Sequence, residues 1–438
     1  MAIIQIPKKI NFKEYDKDNV NPQAFYGLPK EIIFCKKCAM SNQKPITSIE
    51  FKSDNKTIKE GININNDGIC DPCKVNEKKN SSIDWDEREE KLWALCDKYR
   101  KNDGSYDCLV PGSGGKDSFY ASDILKKKFK MNPLTVTWAP NIYTEWGLKN
   151  FNSWIDSGQD NFLVTPNGKI KRLLTRLALE KLLHPFQPFM LGQRNVPAKI
   201  AMKMNIELVF YGENEAEYNN PKKDFESAKR KLNIWSIKEE DEKDLMISGF
   251  TLKELEETFG ISKNELSLYL PPTEEDVIKK KINVQYLGYY LKWDQQGKYY
   301  YAVQNGGFIP SPMRTSGTYS KYNSIDDKLD DFHFYTTLIK FGIGRVNYDV
   351  SQEIRNGEIS IEEGKGLVKK FLYEFPKRFE ETIFEYLSFS KKEFPDIYKY
   401  FEQPVMSRPY FDQLINNFRS PHLWYHHNGE WFLRKTFF

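Results

Sequence analysis

Apolar residues recur at helical spacing over residues 82–101, SIDWDEREEKLWALCDKYRK, where Leu92, Leu95, Cys96 and Tyr99 share a face and Gly104 stands beyond the end as a stop. A short apolar run from Tyr106 to Val110 predicts a strand. After a glycine-rich stretch, FYASDILKKKF predicts an amphipathic helix with Tyr120, Ile124 and Leu125 inward and Lys126 to Lys128 outward. The alternation continues. NPLTVTWAP (132–140) predicts a buried strand, TEWGLKNFNSWIDSG (144–158) a helix capped by Thr144, and NFLVTP (161–166) a third strand. GKIKRLLTRLALEKLL (168–183) predicts a helix, and MNIELVFYGENE (204–215) a fourth strand ending near Gly212. Strands and helices alternating across 106–215 predict an α/β domain with a parallel sheet. Ligands of such sheets bind at the carboxyl ends of the strands. That rim collects the segment around Ser113, Thr137 with Trp138, and Tyr211-Gly212-Glu213.

The rest of the chain reads differently. Residues 216–285 carry charges of both signs, and NNPKKDFESAKRKLNIWSIKEEDEKD predicts an insertion or linker over the surface, with Lys279 to Lys281 as a solvated face. Residues 286–438 are aromatic-rich and predict mostly helix. Within them Asp326 to Lys340 fits a helix that packs through Leu329, Phe332, Leu338 and Ile339. SPHLW (420–424), with His426 and His427 behind it, packs as a terminal helix or faces a site, and packing is the favoured reading. The expected organisation is an N-terminal segment over 1–80, an α/β domain over 81–220, an insertion or linker over 221–285, and a mostly helical C-terminal region over 286–438, with no internal repeat.

Composition narrows the classes. With 39% apolar and 15% aromatic residues in 438, the chain has ample material for packed cores and is no disordered coil. Lys and Arg number 65 against 61 Asp and Glu, so charge alone excludes a polybasic nucleic-acid binder. No apolar run reaches the roughly 18 residues of a membrane span. The opening MAIIQIPKKINFKEYD shows no export signal, so a cytoplasmic protein is expected.

Four of the six cysteines form two knuckles, Cys35-Lys-Lys-Cys38 and Cys70-Asp-Pro-Cys73, 31 residues apart. Each turn aims two thiolates at one point, and two such turns complete the tetrahedron that Zn²⁺ favours. Four cysteines leave no open position, which makes the expected zinc structural. Two disulfides or four unrelated thiols are the alternatives, and a reducing compartment disfavours the former. The intervening FKSDNKTIKEGININNDGI is polar and turn-rich, and Pro72 suits a rigid turn. Cys96 and Cys108 fall on a predicted helix and strand and read as core.

The stretch after the first strand, Pro111-Gly-Ser-Gly-Gly-Lys-Asp-Ser118, lies between strand and helix. Glycines there let backbone N–H groups approach phosphate oxygens, the helix N-terminus adds partial positive charge, and Ser and Lys add donors. A Walker A loop is excluded because Asp117 follows Lys116, and the spacing of Gly112 and Gly114 excludes the dinucleotide fingerprint. Ser113-Gly-Gly-Lys-Asp-Ser118 instead resembles the pyrophosphate loop of the ATP pyrophosphatase (PP-loop) superfamily. The resemblance implies a doubly wound sheet of the adenine nucleotide alpha hydrolase type. It also implies ATP cleaved between its α- and β-phosphates and an adenylyl group passed to a carbonyl-type oxygen. The expected nucleotide site is Pro111, Gly112, Ser113, Gly114, Gly115, Lys116, Asp117 and Ser118, with Ser113, Lys116, Asp117 and Ser118 closest to the chemistry. Adenine is expected near Thr137 and Trp138, with Gly192, Tyr211, Gly212 and Glu213 completing the rim.

In the C-terminal region the predicted helix carries Asp330, Asp331 and His333 and is flanked by Arg314 and Arg345. Acids, a base and anion clamps so close in sequence make Arg314, Lys321, Asp330, His333 and Arg345 the candidate substrate residues. His333 is read either as a general base or as a satisfied core histidine.

Longer segments carry a narrower resemblance. CKKCAMSNQKP, YDCLVPGSGGKDSFYAS, HPFQPFMLGQRNVPAKIAMKM, FYGENEAEYNNP, GTYSKYNSIDDKLDDFHFYT, IKFGIGRV, SQEIRNG and SPHLW, in that order, are similar to segments of the N-acetyl sugar amidotransferase family, the PseA- and WbpG-like enzymes of bacterial surface-polysaccharide biosynthesis. The likeness runs from about residue 31 to 425; Ser316 departs from it, standing where an acidic residue is expected. The resemblance implies an enzyme that uses ATP and Mg²⁺ to adenylate the amide oxygen of an acetamido group. Ammonia then displaces AMP to leave an acetamidino sugar, in lipopolysaccharide or related glycan synthesis on pseudaminic acid, legionaminic acid or a nucleotide-linked hexosamine. No cysteine has the setting of a glutaminase nucleophile, so ammonia is expected from a separate subunit similar to the glutaminase of histidine biosynthesis, with or without its barrel-shaped companion. A tRNA-thiolating PP-loop enzyme and a zinc-bearing, ATP-binding scaffold are the competing readings.

Overall fold

The structure is a computed structural model and describes residues 2–46, 50–52, 58–213 and 227–438. Its centre is a five-stranded, wholly parallel sheet: β1 (Cys108–Pro111), β2 (Pro133–Trp138), β3 (Asp160–Val164), β4 (Leu208–Tyr211) and β5 (Asn283–Tyr286), in the order β3-β2-β1-β4-β5. Helices cover both faces: α2 (Trp85–Tyr99) and α3 (Lys116–Lys127) one, α5 (Gly168–Leu182) and α6 (Gln187–Lys203) the other, while α1 (Asp71–Ser81) carries Cys73 of the cysteine cluster and α4 (Glu145–Asp156) joins β2 to β3. Successive strand residues point to opposite faces. Thus Leu109 and Val209 join α5 and α6 in one core, while Cys108, Val110, Leu208 and Phe210 join α2 and α3 in another. Burial on both sides is why β1 reads as an apolar run and β2 admits only Thr135 and Thr137 among its apolar residues. The four strands expected from the sequence are all present. Thr144 caps α4 by accepting a hydrogen bond from the Gly147 N–H, 2.9 Å away. Cys96 and Cys108 are core residues.

The stretch read as a surface insertion is built differently. Over the described residues 227–285 it supplies Trp235, Ile237, Leu245, Ile247, Leu255, Leu266 and Tyr269 to the core on the α5–α6 face. Its end is β5, paired in parallel with β4. The apolar residues are spread over short elements, two 3₁₀ turns, a hairpin with two-residue strands and helices of eight and six residues (Leu252–Phe259 and Glu274–Lys279), so no long period exposes them. The remainder of the segment FYGENEAEYNNP beyond Glu213 lies outside the described residues.

The C-terminal region is mostly helical, as expected. Helix α7 (Gln295–Gly306) packs on α3, followed by α8 (Asp330–Phe341) and α9 (Arg345–Asn356). Leu329, Phe332, Leu338 and Ile339 all enter a third core with Phe384, Phe411 and Trp424. Helix α8 starts four residues later than the pattern predicts. Asp327 instead accepts backbone N–H bonds from Asn141 (2.5 Å), Ile142 (3.3 Å) and Leu329 (3.0 Å), and the Asp326 carbonyl accepts from Thr144 at 3.0 Å. Residues 325–327 are thereby laid along the entry to α4. The SPHLW segment packs, but into a hairpin and not a terminal helix: β6 (Trp424–His427) pairs with β7 (Glu430–Leu433). Asn428 and Gly429 both have positive φ, +50° and +83°, which an Asn-Gly hairpin turn requires. His422 is buried between Ser420 Oγ (2.6 Å) and Gln43 Oε1 (3.0 Å), and His426 packs at a tilt against Phe12, so both are structural. Among the described residues no helix is long and apolar enough to cross a membrane.

Candidate active site

Cys35, Cys38, Cys70 and Cys73 converge. Cys35 and Cys73 sulfurs are 3.8 Å apart, Cys38 and Cys70 3.6 Å, and all four lie within 4.8 Å of one another. Zinc–sulfur bonds of about 2.3 Å give a tetrahedron with edges of about 3.8 Å, so the donor set fits a metal ion. Disulfides are excluded by these separations, since a disulfide holds its sulfurs about 2.05 Å apart. The Cys35 sulfur accepts N–H bonds from Lys37 and Cys70, both at 3.3 Å, which suits a thiolate. The module is anchored on both sides: Lys79 of α1 donates to the Trp293 carbonyl at 3.0 Å, and Asn347 of α9 donates to the Ala39 carbonyl at 3.2 Å.

The phosphate loop runs from the end of β1 into α3. Gly115 caps α3 without any side-chain bond, so the first N–H groups of the helix face the loop without intrahelical partners. Gly114 has φ +83°, and a Cβ there would lie 2.7 Å from the Phe151 Cα. A Cβ on Gly112 would lie 2.1 Å from the Ser118 Cβ. Lys116 Nζ meets Asp117 Oδ2 at 2.5 Å, and Asp117 Oδ1 is buried without a hydrogen-bond partner. Burial pushes the Asp117 carboxyl up, but Lys116 and Lys298 outweigh it and hold it below the usual range. Glu213, on the same rim, is pushed up by burial and by Asp117.

Gly112, Ser113, Gly115, Lys116, Asp117 and Glu213 line a cavity of about 480 Å³ at the carboxyl ends of β1, β2 and β4. Its other wall belongs to the C-terminal region: Tyr322, Ser324, Asp326, Asp327, Asp330 and His333. Asp326 is raised by burial and lowered by a hydrogen bond from Ser113, so the two halves of the chain touch within the loop itself. His333 stacks against His184 (5.2 Å) and Phe186 (4.9 Å), and its Nδ1 is buried and unpartnered. Burial, then His184, hold it well below the ordinary histidine value, so the imidazole is neutral. Asp330 is pushed up by burial against the pull of Arg345.

Not every residue named from the sequence reaches the cavity. Trp138 lines it, but the Thr137 hydroxyl points to the neighbouring strand and accepts from Asn161 Nδ2 at 3.0 Å. Gly192 lies beneath Trp138, where a Cβ would fall 2.2 Å from the indole, so it lets α6 close on that ring. Gly212 approaches the Asp117 carbonyl in the same way. Tyr211 lines the cavity with Arg230 over its ring at 4.3 Å. Arg345 lines an adjoining cavity, bonded to Asp349 at 3.4 Å. Arg314 lies outside both and makes a two-pronged bond to Glu374, 2.6 Å on each prong. Lys321 is exposed and donates to the Pro312 carbonyl at 3.3 Å. Ser316 donates to Asp331 at 2.9 Å, and Asp331 pairs with Arg378 at 3.0 Å. Sequence reasoning missed Asp326, Arg194, Arg230 and Lys298. Lys298 extends from α7 to the Gly212 carbonyl, 3.2 Å away, and no local motif marks it.

Residues 316–436 match the family model described as LPS biosynthesis protein WbpG-like, C-terminal domain, in agreement with the resemblance drawn from the sequence. An uncharacterised protein of Methanocaldococcus jannaschii is 50% identical over 50 residues, 11% of this chain and only 17% of that protein's length. Among solved structures, the NH3-dependent NAD synthetase of Campylobacter jejuni matches at 17% identity over 45% of this chain and 95% of that one, with a TM-score of 0.25. The U34-tRNA thiolase NcsA of Methanococcus maripaludis matches at 12% identity over 74% and 86%, with a TM-score of 0.28. Likenesses of that size carry no argument about the reaction.

Proposed function

We propose that this protein is an ATP-dependent amidotransferase that converts the acetamido group of a bacterial surface sugar into an acetamidino group. The observation that carries the reading is a single cavity in which an open helix end and a glycine-rich loop face a wall contributed by a WbpG-like domain. An amide is a poor electrophile, and making its oxygen a phosphate ester supplies a leaving group. The amide oxygen attacks the α-phosphorus of ATP, and the bond to the β-phosphate breaks to release pyrophosphate. Ammonia adds to the activated carbon, loses a proton, and AMP departs with the former amide oxygen. The loop N–H groups, Ser113, Ser118 and Lys116 hold the pyrophosphate as its charge grows, and Trp138 offers its face to adenine. The carboxylates of Asp117 and Glu213 fit as oxygen donors to Mg²⁺, which supplies charge neutralisation at the phosphates. His333, neutral, at the wall of the cavity and with its Nδ1 unpartnered, accepts the proton lost by ammonia. Zinc, held by the four thiols, is structural.

Nitrogen comes from a separate glutaminase subunit. All six cysteines are buried, four of them in the metal cluster and two in the α2–α3 core. The same fact disfavours tRNA thiolation: Cys108 opens β1, at the end of the strand opposite the phosphate loop. The test is incubation with ATP, ammonium and a panel of N-acetyl sugars. Pyrophosphate release that requires both sugar and ammonium, with exchange of oxygen for NH seen by mass spectrometry, is the expected result. ADP as the spent nucleotide would refute it.

A further inference from the structure

Asp326, Asp327, Asp330 and Asp331 stand together where the C-terminal region meets the phosphate loop, and three of them are engaged. Asp326 accepts from Ser113, Asp327 accepts the backbone N–H groups of Asn141, Ile142 and Leu329, and Asp331 pairs with Arg378 at 3.0 Å and accepts from Ser316 at 2.9 Å. Asp330 is the exception. It is only 5% exposed, it lines the wall of the active-site cavity, and its Oδ2 is buried without a hydrogen-bond partner. Arg345 stands 3.9 Å from that oxygen, beyond hydrogen-bond reach, and its guanidinium is committed to Asp349 at 3.4 Å and to the face of Phe334 at 4.1 Å. Asp330 and His333 lie one turn apart on α8, so they share a face, and both line the cavity. Asp117 shows the contrast. There Lys116 and Lys298 overcome burial and hold the carboxyl down, whereas at Asp330 burial prevails over Arg345, with Asp326, Asp331 and Asp327 adding to it. What Asp330 lacks is a cation. The four thiols apart, no three His, Cys, Asp or Glu donors among the described residues come within 4.8 Å of one another, so a metal ion held by protein ligands is not what fits there.

Amidine chemistry makes such a cation twice. An acetamido group is neutral and keeps its N–H hydrogen. When its oxygen attacks the α-phosphorus, the N–C–O unit therefore gains one positive charge. Ammonia then adds its lone pair to the carbon, the new nitrogen gives one proton to His333, and the C–O bond breaks with its electron pair going to AMP. The N–C–N unit left behind is an amidinium, again with one positive charge. We propose that Asp330 is a catalytic residue whose carboxylate pairs with the N–H groups of the cationic imidate and of the amidinium product, beside His333. This rests on the amidotransferase reading and gives its reacting group a protein partner. The flat, two-nitrogen amidinium matches a carboxylate as a guanidinium does. Because the charge is absent from the substrate and present after activation, the pairing favours the transition state over the bound sugar. Where the empty site holds Asp330 protonated, that proton passes to solvent as the positive charge takes its place.

The probes are acetamidinium, which is the reacting group without its sugar, and acetamide, its neutral counterpart of the same shape. In titration calorimetry on the metal-loaded full chain, acetamidinium should bind at least tenfold more tightly than acetamide. Asp330→Asn keeps the shape of the side chain and removes its charge. It should abolish that preference while the affinity for acetamide stays as it was. The ratio is read within one protein, so a general loss of stability does not imitate the effect. In the sugar-panel assay the same variant should lower kcat at least a hundredfold with KM for ATP within twofold. Equal affinities in the parent, a preference that survives Asp330→Asn, or displacement of acetamidinium by Mg²⁺ alone each overturn the assignment. AMP release by a chain that shows no acetamidinium preference removes the role of Asp330 and leaves the amidotransferase reading standing. ADP as the spent nucleotide, with the preference intact, removes that reading and leaves a cation site at Asp330.

Discussion

Replacing Gly114 with alanine tests the phosphate loop most directly, because the structure fixes both the cost and its cause. Gly114 has φ +83°, a conformation that costs an L-residue roughly 1–2 kcal/mol. The added Cβ would lie 2.7 Å from the Phe151 Cα and 2.8 Å from the Asn150 carbonyl oxygen, about 0.7 Å inside the 3.4 Å of ordinary contact. Those are backbone atoms of α4, which cannot swing aside. Asn150 is tied to the Ile309 carbonyl at 2.9 Å, and the buried Trp154 donates to Ser122 at 2.8 Å. Overpacking of this kind adds roughly 1–3 kcal/mol. The loop therefore moves, and a displacement approaching 1 Å at a reacting centre costs up to about 100-fold in rate. Gly115→Ala is the matched control, since the nearest atom to its Cβ is Ser113 Oγ at 4.0 Å and its φ is an ordinary −68°. In thermal melts Gly114→Ala should lose several degrees and Gly115→Ala none. In a pyrophosphate-release assay at saturating ATP, Gly114→Ala should lose at least tenfold. A Gly114→Ala protein that melts and turns over like the parent would refute the claim that this glycine sets the shape of the loop.

Two further outcomes follow from groups outside the loop. Cys35→Ser opens the thiol cluster, and elemental analysis should fall from one zinc per chain to none with a lowered melting temperature; a metal-free variant of unchanged melting temperature would contradict the structural role. Burial raises the Asp327 carboxyl to about 6, against about 3.9 in an unfolded chain. Between those values the folded protein holds more protons, so its stability is fully present below about pH 4 and falls as pH rises through 6, by about 3 kcal/mol in all. Denaturant unfolding across that range should show Asp327→Asn lacking this part of the slope; curves that run parallel to the parent's would show that Asp327 does not carry it.

What was legible in the chain is what is encoded locally. β1, β2 and β4 are largely apolar runs separated by segments of helical period, and the phosphate loop and the cysteine knuckles owe their chemistry to neighbours a few residues away. Facing and pairing across the chain are another matter. Thr137 and Trp138 are consecutive on a strand buried on both sides, so alternation says that they diverge without saying which meets the ligand; Asn161 claims the hydroxyl and the indole is left for the cavity. Arg314 and Arg345 are the same side chain flanking the same helix. Glu374, 60 residues downstream, engages the first on both prongs, while the second is held by Asp349 within its own helix at the wall of a cavity. Asp326 joins the site only because a segment far along the sequence is laid beside Ser113. A charge in a sequence thus specifies an available interaction, and the fold decides whether a protein group or a ligand takes it. For that reason the Asn-Gly turn at 428–429, a purely local signal, was the recoverable error at the C-terminus, whereas the roles of Arg314 and Arg345 could be separated only once the partners of each were in place.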